Sequence, residues 1–328
     1  MRRTIAAAGG LLLVLTATAC NDDAGSGSGA GDPALDALVT EVEALDGVEG
    51  ATTETQDVEG EGIHSLDVSV ELAPQVTEAQ ATAVLDLLFE EAPAAAPGRD
   101  VYVHVDLAGT TVYLLDHELE DPEVVADALL TGHTLAALGK VEIGSTPPSI
   151  TVRLPEGSGA DEVSAAVEEA LAADVSPGID VNVWGDGAAL TAGGGLGAEV
   201  LEQFRDLAAT TADVEGFEID HVSLTVDPSV EGPGRLSGDV EIELPGHLTP
   251  RDVTPDAFQD VVWPMLTDQL DVVAGWEDGA TFSLVNVYHE NEGAIGRDYM
   301  VHVINGPGAD KPDRRGWNAL AEGYLESR

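Results

Sequence analysis

The chain has 328 residues, 44% of them hydrophobic, which is enough for a sizeable core and for roughly two or three domains. Lys and Arg number 13 against 61 Asp and Glu, so the formal net charge is −48. That charge repels phosphate backbones and argues against nucleic acid as a partner, disfavours flat adhesion to anionic lipid, and favours cations or basic partners. The single cysteine, Cys20, excludes an intramolecular disulfide and any metal site built from several cysteines.

The first element is a basic start, Met1-Arg2-Arg3, followed by an apolar run from Ile5 to Leu15 and the small residues Ala17-Thr18-Ala19 before Cys20. This order predicts a secretory signal peptide over 1–19. The run is shorter than the roughly 20 apolar residues a spanning helix needs. Residues 17–20 resemble the lipobox of bacterial lipoproteins, with Ala17 standing where that family favours Leu. The resemblance implies that Cys20 carries a thioether-linked diacylglycerol and becomes the first residue after cleavage. Residues 20–32 then read as the lipidated cysteine and a flexible linker, rich in Gly and Ser. Losing residues 1–19 removes two arginines and no acid, so the remainder is more negative still.

The body opens at Asp32-Pro33, a cap followed by proline in the first turn. Leu35, Leu38, Val39, Val42 and Leu45 then fall on one helical face up to Gly47. Leu66, Val68, Val70 and Leu72 alternate with Asp67, Ser69 and Glu71, which predicts a half-buried strand. Thr77 and Gln80 have capping-box spacing and begin a helix through Ala83, Val84, Leu87 and Leu88. Val101, Val103 and Val105 alternate with Tyr102, His104 and Asp106, and Val112 to Leu115 supplies a partner strand after Gly109.

Asp121-Pro122 restarts the cycle, with Val124, Val125, Ala128 and Leu129 as the apolar stripe. Strands are expected near 140–144 and 149–154, a helix near 161–173, and a strand over Ile179 to Val183. A third cycle has a helix near 198–212, strands near 217–226 and 238–244, and a helix near 255–273. It closes with strands near 280–289 and 298–304 and a last helix near 314–326.

Val48-Glu49-Gly50 and Val214-Glu215-Gly216 each follow a helix, and the strand ends Glu71-Leu72-Ala73-Pro74, Arg153-Leu154-Pro155 and Glu243-Leu244-Pro245 are alike. We therefore expect three α+β units, over 33–116, 117–192 and 193–328. Each should be a two-layer sandwich of antiparallel sheet with helices on one face, in the manner of ferredoxin-like units. The alternation leaves one sheet face polar, carrying Asp67, Glu71, His104, Asp106, Asp180, Glu241 and Glu243.

The chemistry-bearing motifs are sparse. Gly193-x-Gly195-x-x-Ala198 fits a loose dinucleotide fingerprint, but the other turns lack it and the strands around it read as antiparallel, so it is taken as a linker. His117-Glu118-x-Glu120 and His289-Glu290-Asn291-Glu292 are possible metal donors without the two-histidine helical spacing of a zinc hydrolase, and no calcium loop is present. His104 and His302 fall on the polar side of their strands. The four tryptophans, Trp184, Trp263, Trp276 and Trp317, are read as packing rather than as a cleft. No nucleophile elbow, phosphate loop or serine–lysine signature occurs, so no catalytic residue or cofactor site is assigned.

These readings describe a lipoprotein on the extracytoplasmic face of the cell membrane, anchored through Cys20, that acts as a non-catalytic envelope binding or organising module with a protein or cation partner. Two other classes stand beside it: a cation- or solute-binding lipoprotein using its acidic sheet faces, and an extracytoplasmic enzyme of unrecognised type.

Overall fold

The computed structural model describes residues 32–58, 63–115, 121–145, 148–173, 175–176, 178–193, 197–211, 217–227, 236–245, 248, 251–289, 295–306 and 316–328. The first helix, α1 (Pro33–Glu43), leads into the hairpin β1 (Val48–Val58) and β2 (Ile63–Leu72). The same order follows with α2 (Glu78–Ala95), β3 (Asp100–Leu107) and β4 (Thr110–Leu115), then α3 (Pro122–Leu135), β5 (Lys140–Ser145) and β6 (Pro148–Arg153). It continues with α4 (Ala160–Ala172), β7 (Asp180–Trp184) and β8 (Ala188–Ala192), then α5 (Ala198–Ala209), β9 (Glu218–Val226) and β10 (Leu236–Glu243). The last repeat is α6 (Pro255–Val273), β11 (Thr281–His289) and β12 (Ile295–Ile304), closed by α7 (Gly316–Leu325).

Local chemistry sets the helix starts. Asp32 Oδ1 accepts from the Ala34 amide at 3.0 Å with Pro33 in the first turn, and Asp121 Oδ1 accepts from Val124 at 3.3 Å ahead of Pro122. The Thr77 box closes in both directions, Gln80 N to Thr77 Oγ1 at 3.4 Å and Thr77 N to Gln80 Oε1 at 2.9 Å.

The twelve strands among the described residues form one sheet in strict sequence order, β1 to β12. Each hairpin is antiparallel, and each strand pair joined through a helix is parallel. The expected antiparallel sheet is therefore a mixed one. A helical crossover returns the chain to the end it left, so the next strand must run the same way. The sheet also continues where units were expected to meet. Thr111 and Val112 of β4 stand beside Glu142 and Ile143 of β5, and Ala188 to Ala192 of β8 run beside Val222 to Val226 of β9. The helix–strand–strand order occurs six times, so each of the three expected units holds two. Strands follow one another in space without the interleaving that a ferredoxin-like unit requires.

The core is one layer between the helices and a single face of the sheet. The register aligns Val70, Val105, Val112, Ile143, Ile150 and Val181 as neighbours on successive strands, all buried. The row resumes as Leu190, Leu224, Gly238 and Phe282. Leu38, Leu85, Leu129, Val167, Phe204, Leu266 and Trp317 bring α1 to α7 onto this same face. Strand pairs joined by α2, α4 and α6 run opposite to those joined by α3 and α5, so helices on one face require crossovers that alternate in hand. Right-handed crossovers throughout would place successive helices on opposite faces. Burial overrides that preference, because the apolar side chains of these strands lie mainly on one side, with Val285 and Val287 of β11 as exceptions.

Candidate ligand-binding face

The period-2 alternation that builds the core places every second side chain on the outer, helix-free face. All the polar positions expected there are there: Asp67, Glu71, His104, Asp106, Asp180, Glu241 and Glu243, with His104 and His302 opposite their valines. His104 Nε2 lies 3.8 Å from Asp67 Oδ1 across the parallel β2–β3 pair. On β5 and β6, Lys140 Nζ donates to Glu142 at 2.7 Å and Arg153 Nε donates to the other carboxylate oxygen at 3.4 Å. The Lys140 hydrogen bond acts most strongly on the Glu142 carboxyl; burial opposes it, and the charge of Lys140 with the hydrogen bond and charge of Arg153 leave the pKa below its ordinary range.

Large apolar side chains stand out on this face. Among the described residues, the exposed ones are Tyr113 at 45%, Trp184 at 45% and Tyr299 at 68%, and all three point outward from it. Tyr113 lies tilted against Tyr102 at 5.9 Å and takes the His104 ring edge-on at 4.4 Å. Trp184 has the Arg153 guanidinium 5.0 Å from its ring centre. Tyr299 meets His302 edge-on at 5.9 Å.

A depression of about 310 Å³ lies between Trp184 on β7 and the Glu241–Arg297 ion pair spanning β10 and β12. One cross-strand row, Trp184, Ala189, Ser223 and Asp239, forms its floor and ends. Trp276 and Trp317 are buried and Trp263 packs against Trp317, whereas Trp184 lies on the surface with Arg153 against its ring. A signal for Trp184 was present: it occupies the outward position of Val181-x-Val183-x, where a ring has no core to fill. Ser223, Asp239 and Arg297 carried no comparable signal, since only strand pairing brings them together.

Ser283 Oγ and His302 Nδ1 are 3.1 Å apart on the same face, the spacing of a nucleophile and its base. Ser283 is buried, at 3% exposure. Among the described residues no group of three or more His, Cys, Asp and Glu could hold a metal ion. Cys20, His117 with Glu118 and Glu120, and Glu290 to Glu292 lie outside the described residues, as does the side chain of His289. The glycine run lies partly outside them, at 194–196. Its surroundings correct one expectation: β8, α5 and β9 form a parallel crossover, not an antiparallel pair, because α5 carries the chain back along the sheet.

The fold and this face define the class of protein: a one-sheet α+β repeat protein with all its helices on one side and an aromatic-bearing polar face on the other. No family model matches the chain, and neither the curated proteins nor the solved structures contain a match to it.

Proposed function

We propose that this chain is an extracytoplasmic lipoprotein, tethered to the cell membrane through a lipid on Cys20, whose helix-free sheet face is a non-catalytic binding surface in the envelope. The observation that carries the binding reading is the confinement of Tyr113, Trp184 and Tyr299 to that one face. Exposed aromatics on an otherwise polar surface are the usual anchors of recognition. The Gly- and Ser-rich stretch after Cys20 suits a tether that lets the face turn away from the bilayer. Among the described residues no helix is long and apolar enough to cross a membrane.

Two measurements test the two halves. Cys20→Ser should release the protein to the soluble fraction or leave an uncleaved precursor, and a mature-size band that stays with the membrane overturns the anchor. Non-lipidated protein should sediment with delipidated envelope fragments, whereas a Tyr113→Ser, Trp184→Ser, Tyr299→Ser variant with an unchanged melting curve should not. Equal retention of both overturns the binding face.

A cation- or solute-binding role is the second reading, favoured by the acids Asp67, Glu71 and Asp106 on adjoining strands. Calorimetric titration with calcium and zinc separates it from the first.

A further inference from the structure

Resting on the binding-face reading, we infer that the depression beside Trp184 is a carbohydrate subsite, which takes one pyranose ring of a neutral oligosaccharide laid across the strands. Arg153 covers one face of the indole from the β6 side. The next position of the same row on the β8 side is Ala189, whose methyl leaves the other ring face open over the depression. A flat, exposed aromatic face beside open space suits the apolar face of a sugar ring, which stacks its C–H groups on the ring's electron-rich surface.

The far wall supplies the polar half of the site. Asp239 stands three strand spacings from Trp184, about 14 Å along the sheet, with the side chains projecting into the gap between them. The Asp239 carboxylate offers two acceptors. His221 Nδ1 lies 3.1 Å from the Asp186 carbonyl, which can only accept, so Nδ1 carries the proton and Nε2 is left as an acceptor in the neutral ring. Glu241 is 6% exposed and held by Arg297, whose guanidinium has further N–H donors to offer. Ser223 and Thr225 add hydroxyls that both donate and accept. A ligand that matches this set presents donors and acceptors together around an apolar ring, as vicinal hydroxyls on a pyranose do. The volume is at the lower end for small-molecule pockets, which suits one ring rather than an extended aromatic ligand.

Charge bears on the choice between a neutral ligand and a charged one. Arg297 lines the depression together with the acids Asp220, Asp239 and Glu241, and Arg153 lies behind Trp184 on its β6 side. An organic cation would meet the Arg297 guanidinium, and an anion would meet Asp220, Asp239 and Glu241. A neutral polyol meets neither penalty.

The test uses the chain from residue 20 onward with Cys20→Ser, titrated with cellohexaose, mannohexaose and chitohexaose while tryptophan fluorescence is followed. At least one should bind saturably, with an affinity that changes little between about 0.05 and 1 M NaCl, since screening affects only charged attraction. Trp184→Ala should weaken it at least tenfold, Trp184→Phe should recover part of the loss, and Asp239→Asn should weaken it without altering the melting curve. If Trp184→Ala does not fold, Trp184→Phe and Asp239→Asn carry the test. Absence of binding by all three sugars, or binding insensitive to these variants, overturns the subsite. So does salt-sensitive binding of spermine at Trp184 in their place. The envelope-retention assay on the aromatic triple variant is independent, so a failed sugar site and a failed binding face give different patterns.

Discussion

Arg153 and Trp184 face each other across the parallel β6–β7 pair, the guanidinium 5.0 Å from the centre of the indole ring. The same guanidinium reaches Glu142 on the other neighbouring strand, so one arginine ties a carboxylate and an aromatic ring into a row on the helix-free face. The row consists of half-exposed groups, and its energetic contribution is correspondingly small.

The Glu142 carboxyl has a lowered pKa in the folded chain, first through its hydrogen bond with Lys140. A lowered folded value means that the carboxylate stabilises the fold above the ordinary carboxylate range, and that this contribution disappears as pH falls through the folded value. Glu142→Gln should therefore cost under about 1 kcal/mol at pH 7, discounted for exposure. The difference from the parent should narrow between pH 7 and pH 3. Urea unfolding at both pH values checks this, and a gap that widens in acid contradicts it.

Overall charge sets a second expectation. A net charge of −48 held on one folded body repels itself, and salt screens that repulsion over about 10 Å at 0.1 M and about 3 Å at 1 M. The melting temperature should rise steadily with NaCl. A flat series would show the acids to be too far apart, or too well compensated by neighbours, to matter.

Gln269 of α6 is fully buried, and neither atom of its amide has a hydrogen-bond partner among the described residues. An amide in that position forfeits its solvation without return. Gln269→Met, of similar length and without polar demand, should stabilise the protein by about 1–2 kcal/mol. Denaturant midpoints measure this, and a destabilised variant would mean that the amide is bonded in solution.

Continuity of the sheet predicts the outcome of cutting the chain. A protease site engineered at Gly195 severs the chain between β8 and β9, but their backbone pairing from Ala188 to Ala192 remains. The nicked protein should elute as one particle, and residues 20–195 and 196–328 made separately should aggregate through their exposed edge strands. Two soluble, folded halves would contradict a single cooperative sheet.

The sequence alone determined what depends on near neighbours. Asp32-Pro33, Thr77 with Gln80, and Asp121-Pro122 mark helix starts because a cap needs only residues two or three places on. The alternation of valine with polar residues on β3, and of valine with aspartate and asparagine on β7, showed one wet and one dry face because side-chain direction in a strand has period 2. Two strands were implied by the order of strand pairs but had no legible bounds. β1 reads Val-Glu-Gly-Ala-Thr-Thr-Glu-Thr, nearly all polar because it lies at the sheet edge. β8 reads Ala-Ala-Leu-Thr-Ala, too short and small-sided to stand out. Only the tertiary structure decided which strands adjoin, that the hairpins join in parallel into one sheet, and that every helix takes the same side. It alone placed Trp184 opposite Asp239, Glu241 and Arg297. These relations depend on hydrogen bonds between backbones distant in the chain and on how much apolar area each arrangement removes from water. Neither is written in any local run of residues.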